Sequence, residues 1–261
     1  MTITRDLDDL GALGILAPVA LDEVTAVADL QTRRDRKYVI HRSVLSDLLA
    51  ESWPAARVLT IDGARSFRYE SIYFDTPDLT SYHGAARRRP RRFKVRTRSY
   101  LDQGTCFVEV KVRDARGRTV KHRHPHDLDR RTQLTDAGRQ FVTTVEHTAN
   151  VVDQLQATLA TAYRRATLVL ADTHARVTID VDVAWHQPDG RHADLPGVAL
   201  VETKTAGPPC LFDRALWRHG HRPVTISKYC TGLAALRPYL PANKWNRVLR
   251  RHFDWLPPQA P

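Results

Sequence analysis

Cationic side chains recur at every second position in several stretches that read as β-strands. Lys94, Arg96 and Arg98 form one set, and Lys111 and Arg113 form another. Thr119, Lys121 and Arg123 repeat the spacing, as do Tyr163 and Arg165. Successive strand side chains point to opposite faces, so each set makes one polar stripe with the intervening residues behind it. Those intervening residues can supply a core: Val108, Val110 and Val112 back Glu109 and Lys111, and Val177, Ile179, Val181 and Val183 back Arg176, Asp180 and Asp182. One such strand is ordinarily a solvated sheet face. Several in one chain describe a basic surface or channel for a polyanion. Many cations with a few carboxylates suit phosphate groups accompanied by a divalent metal.

The composition narrows the anion. The chain has 261 residues, 40 Lys and Arg against 29 Asp and Glu, and a formal charge of +11. That balance favours nucleic acid, a membrane surface, or a phosphorylated small molecule or polymer. Readers of single-stranded nucleic acid interleave exposed aromatics for base stacking. The cationic strands here contain few, so no specific nucleic acid is expected, although salt-sensitive binding to DNA would follow from the charge alone. Cys106, Cys210 and Cys230 are odd in number and far apart, which makes neither a disulfide framework nor a metal knuckle. Cys106 and Cys230 read as small apolar residues in a reducing compartment. The first residues lack the pattern of a signal peptide, and the apolar stretch from Leu10 to Leu21 is too short to span a bilayer. A soluble cytoplasmic protein is the expectation.

The positioning elements follow from periodicity. Strands are predicted over 31–40, 67–74, up to Tyr100, and over 106–113, 118–124, 163–170, 176–185 and 198–205. Helices are predicted over 43–50, 135–147, 150–160, 211–219, 228–236 and 243–252, with a brief one after the turn Asp75-Thr76-Pro77. Tight turns are expected at Asp102-Gln103-Gly104, Ala115-Arg116-Gly117 and Asp172-Thr173-His174. The fold class is α+β. About eight hairpin-connected strands tend to close into an antiparallel β-barrel, which removes their edges. With a charged interior, that barrel is a tunnel, with helices packed outside and at the C-terminus. Residues 1–30 are expected to be a flexible lead-in with a weak helix, 31–252 the ordered domain, and 253–261 a tail.

Eight short motifs then occur in a familiar order. They are Arg36-Lys37-Tyr38-Val39-Ile40, Ser71-Ile72-Tyr73-Phe74-Asp75-Thr76-Pro77, Lys94-Val95-Arg96-Thr97-Arg98-Ser99-Tyr100, Val108-Glu109-Val110-Lys111, Thr119-Val120-Lys121-His122-Arg123, Tyr163-Arg164-Arg165, Val201-Glu202-Thr203-Lys204 and Ile226-Ser227-Lys228-Tyr229. Together, over roughly 32–252, they resemble the VTC domain, the polyphosphate polymerase domain of the vacuolar transporter chaperone family. That domain belongs to the triphosphate tunnel metalloenzyme, or CYTH-like, group. The resemblance implies an eight-stranded tunnel that binds a nucleoside triphosphate and a growing polyphosphate chain.

Carried over motif by motif, the resemblance implies that Lys37, Arg96, Arg98 and Lys228 serve catalysis. It implies that Lys94, Lys111, Lys121, Arg123, Tyr163, Arg165, Lys204 and Ser227 hold phosphates, and that Glu202 holds Mn²⁺ or Mg²⁺. The implied activity is transfer of the ATP γ-phosphate onto inorganic polyphosphate. Runners-up are a tripolyphosphatase or nucleoside triphosphatase of the same fold, and a polyphosphate-binding module without catalysis. The membrane segments that accompany the domain in the vacuolar complex are not seen, so export would call for a membrane-protein partner. Tunnel hydrolases of the group begin with Glu-x-Glu-x-Lys; here that spacing holds Arg33, Asp35 and Lys37. A cation in place of one acid removes a metal ligand and tilts the site toward polymer binding.

Plainer readings stand beside these. Glu202 and Lys204 could be a cross-strand ion-pair set, Ser227 a helix cap, and Tyr163 a packing residue. Even as a cap, Ser227 would put a helix N-terminus where anions bind favourably. His122, His124 and His126 alternate, but with Pro125 between them and no carboxylate at ligand spacing they read as solvated strand positions.

Overall fold

A computed structural model describes residues 13–28, 34–52, 56–113, 119–170, 173 and 175–257. In chain order its elements are β1 (Ala17–Val19), α1 (Leu21–Ala28), β2 (Arg34–His41), α2 (Leu45–Ser52), β3 (Ala56–Leu59), β4 (Phe67–Asp75), α3 (Thr80–Ala86), β5 (Arg92–Tyr100) and β6 (Thr105–Arg113). There follow β7 (Thr119–His126), α4 (Asp136–Thr143), β8 (Gln156–Leu170), β9 (Ala175–His186), β10 (His192–Asp194), β11 (Val198–Thr205), α5 (Leu211–Arg218), α6 (Lys228–Leu236) and α7 (Asn246–His252). The eight anticipated strands are β2, β4 to β9 and β11. The anticipated turns at 115–117 and at 172 and 174 lie outside the described residues, as do 31–33.

One expectation fails at β8. The segment 150–160 has helical spacing, yet it forms a 3-10 turn at Val152–Gln154 and then a strand from Gln156. Leu155 and Leu159, four apart, imitate a helix face, but Thr158 and Thr161 are β-branched and stiff at χ1. Pairing with β4 settles the contest, and Leu155 joins an apolar cluster with Ile72 and Phe74 of that strand.

The chain divides into two compact units. In the first, which takes residues up to 68 with 163–183 and 195–225, the ladder order is β2-β11-β9-β8. One face of this sheet carries Tyr38, Ile40, Val177, Ile179, Val181, Ala199 and Val201, packed with Leu45, Leu48 and Leu49 of α2 and Phe212, Ala215 and Leu216 of α5. Leu13 and Leu16 join the same cluster, and β1 pairs in parallel with β3. Asp213, fully buried, ties α5 to the sheet. It accepts hydrogen bonds from the Tyr38 hydroxyl at 2.6 Å, the Thr203 hydroxyl at 2.6 Å and the Cys210 backbone N–H at 3.0 Å, with Arg36 3.5 Å away. Burial pushes the Cys210 thiol up to about 12, so it stays a thiol.

In the second unit, residues 69–162, 184–194 and 226–261, the order is β8-β4-β5-β6-β7. Val95, Val108, Val110 and Val112 form its core with Leu134, Val142 and Val145 from the α4 region. Trp185 and Gly232 of α6 meet so closely that a Cβ on the glycine would lie 2.2 Å from the indole.

The eight-strand path runs from β2 to β7, and among the described residues no ladder joins those two ends. The structure therefore supports a large antiparallel sheet with helices outside it, not the closed barrel expected from the strand count. No helix among the described residues is long and apolar enough to cross a membrane.

Candidate functional site

The second unit carries the cationic stripe. Along β5, Phe93, Val95, Thr97 and Ser99 are buried while Arg92, Lys94, Arg96 and Arg98 are half-buried on the opposite face. Antiparallel register places like side chains across from one another. Lys94, Lys111 and Lys121 form one rung across β5, β6 and β7, and Arg96, Glu109 and Arg123 form the next. Like charges directly opposite destabilise a sheet; Glu109 answers Lys121 at 3.1 Å, and an anion on this face would add to that compensation. Arg123 also lies 5.0 Å over the Phe107 ring.

Glu109 is the counterweight on this face. Its side chain is only 3% exposed, and it accepts from Arg96 Nε at 2.9 Å and Lys121 Nζ at 3.1 Å, with Arg98 Nε at 3.8 Å. Burial alone would raise its pKa, but Arg96, Arg98 and Lys121 hold the carboxyl far below the usual range. Arg96 further donates to the Tyr73 hydroxyl at 3.2 Å, and Tyr73 stacks on Tyr229 at 5.0 Å. Burial would raise the Tyr73 phenol as well, yet the fields of Arg96, Arg98, Lys94 and Lys228 bring it below its ordinary value. That shift registers the positive potential of the face. Ser71, in register with Arg98, has a buried hydroxyl with no hydrogen-bond partner among the described residues.

The start of α6 adds a second anion-facing feature. Ser227 does cap the helix, accepting from the Cys230 backbone N–H at 3.2 Å, and its hydroxyl also accepts from Lys94 Nζ at 2.8 Å. Lys228 is the first helical residue, and its carbonyl accepts from the Trp185 indole N–H at 2.7 Å. Helix N-termini favour negative charge. Asp75 fixes this end: it accepts from the backbone N–H groups of Thr76, Ser81 and Tyr82 at 2.8–2.9 Å and from the Tyr229 hydroxyl at 2.5 Å. The Asp75-Thr76-Pro77 motif is thus an anchor for α3 and α6.

The first unit carries the other predicted residues. Glu202 sits opposite Lys37 on one side and Thr178 on the other. Its Oε1 lies 3.0 Å from Lys204 Nζ and 3.7 Å from Lys37 Nζ, and Lys204 also reaches Asp35 at 3.5 Å. Burial would raise the Glu202 pKa, but Lys37, Lys204 and Arg165 hold it well below the ordinary carboxylate range. Arg165 forks onto Asp180 at 2.5 and 2.8 Å and stands 5.2 Å over the Tyr163 ring. Thr178 Oγ1 is buried with no hydrogen-bond partner among the described residues.

The predicted set therefore falls into two groups. Lys37, Tyr163, Arg165, Glu202 and Lys204 belong to the first unit; Lys94, Arg96, Arg98, Lys111, Lys121, Arg123, Ser227 and Lys228 belong to the second. Arg33 lies outside the described residues. Two carboxylates that the sequence assigned no role, Glu109 and Asp180, organise the arginine forks. The signal for Glu109 was present: an acid flanked by two valines in the middle of a cationic strand. No group of three or more His, Cys, Asp or Glu placed to hold a metal ion exists among the described residues. Mg²⁺ is ordinarily held by one or two carboxylates plus substrate phosphates. Glu202 fits a metal that arrives with a phosphate chain; a preformed all-protein cage is not what these residues make. His126 Nε2 donates to the Gln133 carbonyl at 3.0 Å and His124 stacks on Phe141 at 5.3 Å, both structural uses.

A family model for the VTC domain matches residues 32–237. No curated protein matches. Solved structures do. A candidate adenylate cyclase from Vibrio parahaemolyticus is 14% identical, with 72% of this chain and 82% of that one covered and a TM-score of 0.41. Proteins from Pyrococcus furiosus and Pyrococcus horikoshii are each 11% identical over 72% of this chain and 88% of theirs, with TM-scores of 0.36 and 0.39. These likenesses are too loose to bear on function.

Proposed function

We propose a polyphosphate polymerase, because the chain belongs to the VTC domain family and its sheet gathers cations into shared rungs, which suits a polyanion. The lysine rung across β5, β6 and β7 is the observation that carries this reading. The substrates are ATP and inorganic polyphosphate. The closure of the sheet into a tunnel around them belongs to the same proposal, as do a cytoplasmic location and a membrane-protein partner for export.

Phosphoryl transfer spreads charge over the equatorial oxygens, so positioning and neutralisation carry most of the catalysis. Arg96, Arg98 and Arg165 present planar forks to phosphate oxygens, while Lys94, Lys111, Lys121 and Lys204 act as point charges. Tyr163, Arg123 and Ser227 complete the phosphate contacts, and Lys37 and Lys228 orient the group in transfer. Glu202 holds Mn²⁺ or Mg²⁺, which when bound neutralises charge on the transferred phosphoryl group. A terminal phosphate acceptor is already ionised and needs no general base.

Glu202→Gln tests the assignment. The variant is expected to lose at least about a hundredfold in turnover, the order of effect seen when an electrostatic stabiliser is removed, while still binding polyphosphate. Incubation with ATP and Mn²⁺ followed by gel resolution of products reads it. A ladder of phosphate chains that vanishes in the variant supports the polymerase; full activity in the variant sinks the metal role. Orthophosphate alone would make the protein a hydrolase. Binding without turnover would leave a carrier, the reading favoured by a Glu202 oxygen already shared between two lysines.

A further inference from the structure

Beyond the residues assigned above, the second unit continues its cationic stripe toward one end of β5. Arg92 is in register with Arg113, one rung past Lys94 and Lys111, so two successive rungs of β5 and β6 pair cation with cation. The first carboxylate in the ladder is Glu109, one rung further on. Arg92 follows an exposed run that contains Arg87, Arg88, Arg89 and Arg91 and is fixed to it by donation from Nη1 to the Arg89 carbonyl at 2.7 Å. Arg88 is held with φ at +55°, a left-handed conformation that is uncommon for a residue with a side chain. Lys244 reaches the same place, donating to the Ala85 carbonyl near the end of α3 at 3.2 Å. Burial lowers the pKa of Lys244, and Arg92, Lys94 and Arg88 lower it further. Burial likewise lowers Arg92, with Arg113 adding to it. These cations share one electrostatic field.

We propose that Arg88, Arg92, Arg113 and Lys244 form an outer phosphate track that grips the distal part of a long inorganic polyphosphate chain. The inference rests on the functional reading above and extends it from a site for the reacting phosphates to a guide for the polymer. From Arg92 to Arg98, β5 covers roughly 20 Å at about 3.4 Å per residue, a length that only a chain of several phosphates follows. Arg92 and Arg113 lie in file with the stripe that precedes them, which suits one flexible linear polyanion better than a duplex.

The test compares two probes on the full chain, tripolyphosphate and long-chain polyphosphate, by titration calorimetry. In the triple variant Arg92→Gln, Arg113→Gln, Lys244→Gln, affinity for the long chain is expected to fall about tenfold or more, with tripolyphosphate changed by less than about twofold. The Lys version, Arg92→Lys with Arg113→Lys, keeps the charge and should keep the long-chain affinity, which separates a track from a folding defect. An equal loss for both probes, or an unchanged long-chain affinity, overturns the track. The same titrations are run with duplex DNA and with anionic vesicles, and a loss confined to either of these overturns the track as well. Failure of the native chain to bind either phosphate probe would instead overturn the functional reading itself.

Discussion

Glu109→Gln is expected to cost about 3 kcal/mol of stability, because it strips the charge from a buried carboxylate and leaves its cations facing one another. Glu109 is 3% exposed and answers Arg96, Arg98 and Lys121 together. For a chain of this size that loss lowers Tm by about 6–12 °C. The pH dependence has a definite sign. The folded-state pKa of Glu109 is depressed, so its contribution is fully present above the ordinary carboxylate value of about 4.3 and disappears as pH falls below it toward the folded value. The variant should lack that part of the acid loss. Tripolyphosphate gives the diagnostic readout: if the face is built for an anion, the ligand restores more Tm to the variant than it adds to the native protein. A variant with native Tm, or one that tripolyphosphate leaves unmoved while the native protein is stabilised, would remove Glu109 from the account.

Gly232→Ala should be as severe by a different route. The added Cβ would lie 2.2 Å from Trp185 Cδ1 and 2.3 Å from its Nε1. Neither side can yield cheaply, since Gly232 is fixed in α6 and Trp185 is fully buried. Overpacking at this contact is expected to cost about 3 kcal/mol, the upper end of the usual range. The indole N–H also holds the Lys228 carbonyl at 2.7 Å, next to the Ser227 cap and its contact with Lys94. Displacing the indole therefore disturbs the start of α6 as well as the core. The variant should lose phosphate affinity along with Tm, measured by thermal unfolding and tripolyphosphate titration on one preparation. Native Tm in the variant would show that α6 and the indole can part without cost.

Much of this architecture was legible because alternation exposes which face a strand shows. β11 occupies Val198–Thr205 and α6 occupies Lys228–Leu236, the spans that periodicity and the Ser227 cap indicate. What a single strand cannot show is its partner across the ladder. The lysine rung exists because register sets Lys94 opposite Lys111 and Lys111 opposite Lys121. Glu109 becomes a hub only when Arg96 lies beside it, and Asp180 engages Arg165 only through the pairing of neighbouring strands. Asp213 brings Tyr38, 175 residues away, together with its near neighbours Thr203 and Cys210. β8 deceived for a local reason, since two leucines at helical spacing outweighed β-branched threonines until a sheet edge was available. The closure inferred from strand count has no ladder behind it among the described residues, because the number of strands says nothing about whether the first meets the last.

The most direct test of the central claim, that the cationic face of β5, β6 and β7 binds a phosphate chain, is a calorimetric titration of tripolyphosphate at low and high salt. Binding is expected at low salt, weakening steeply as the Debye length shrinks from about 10 Å at 0.1 M toward 3 Å at 1 M, and lost when Arg96 and Arg98 are both changed to Ala. Absence of binding at low salt, or binding that survives the loss of both arginines, would contradict it.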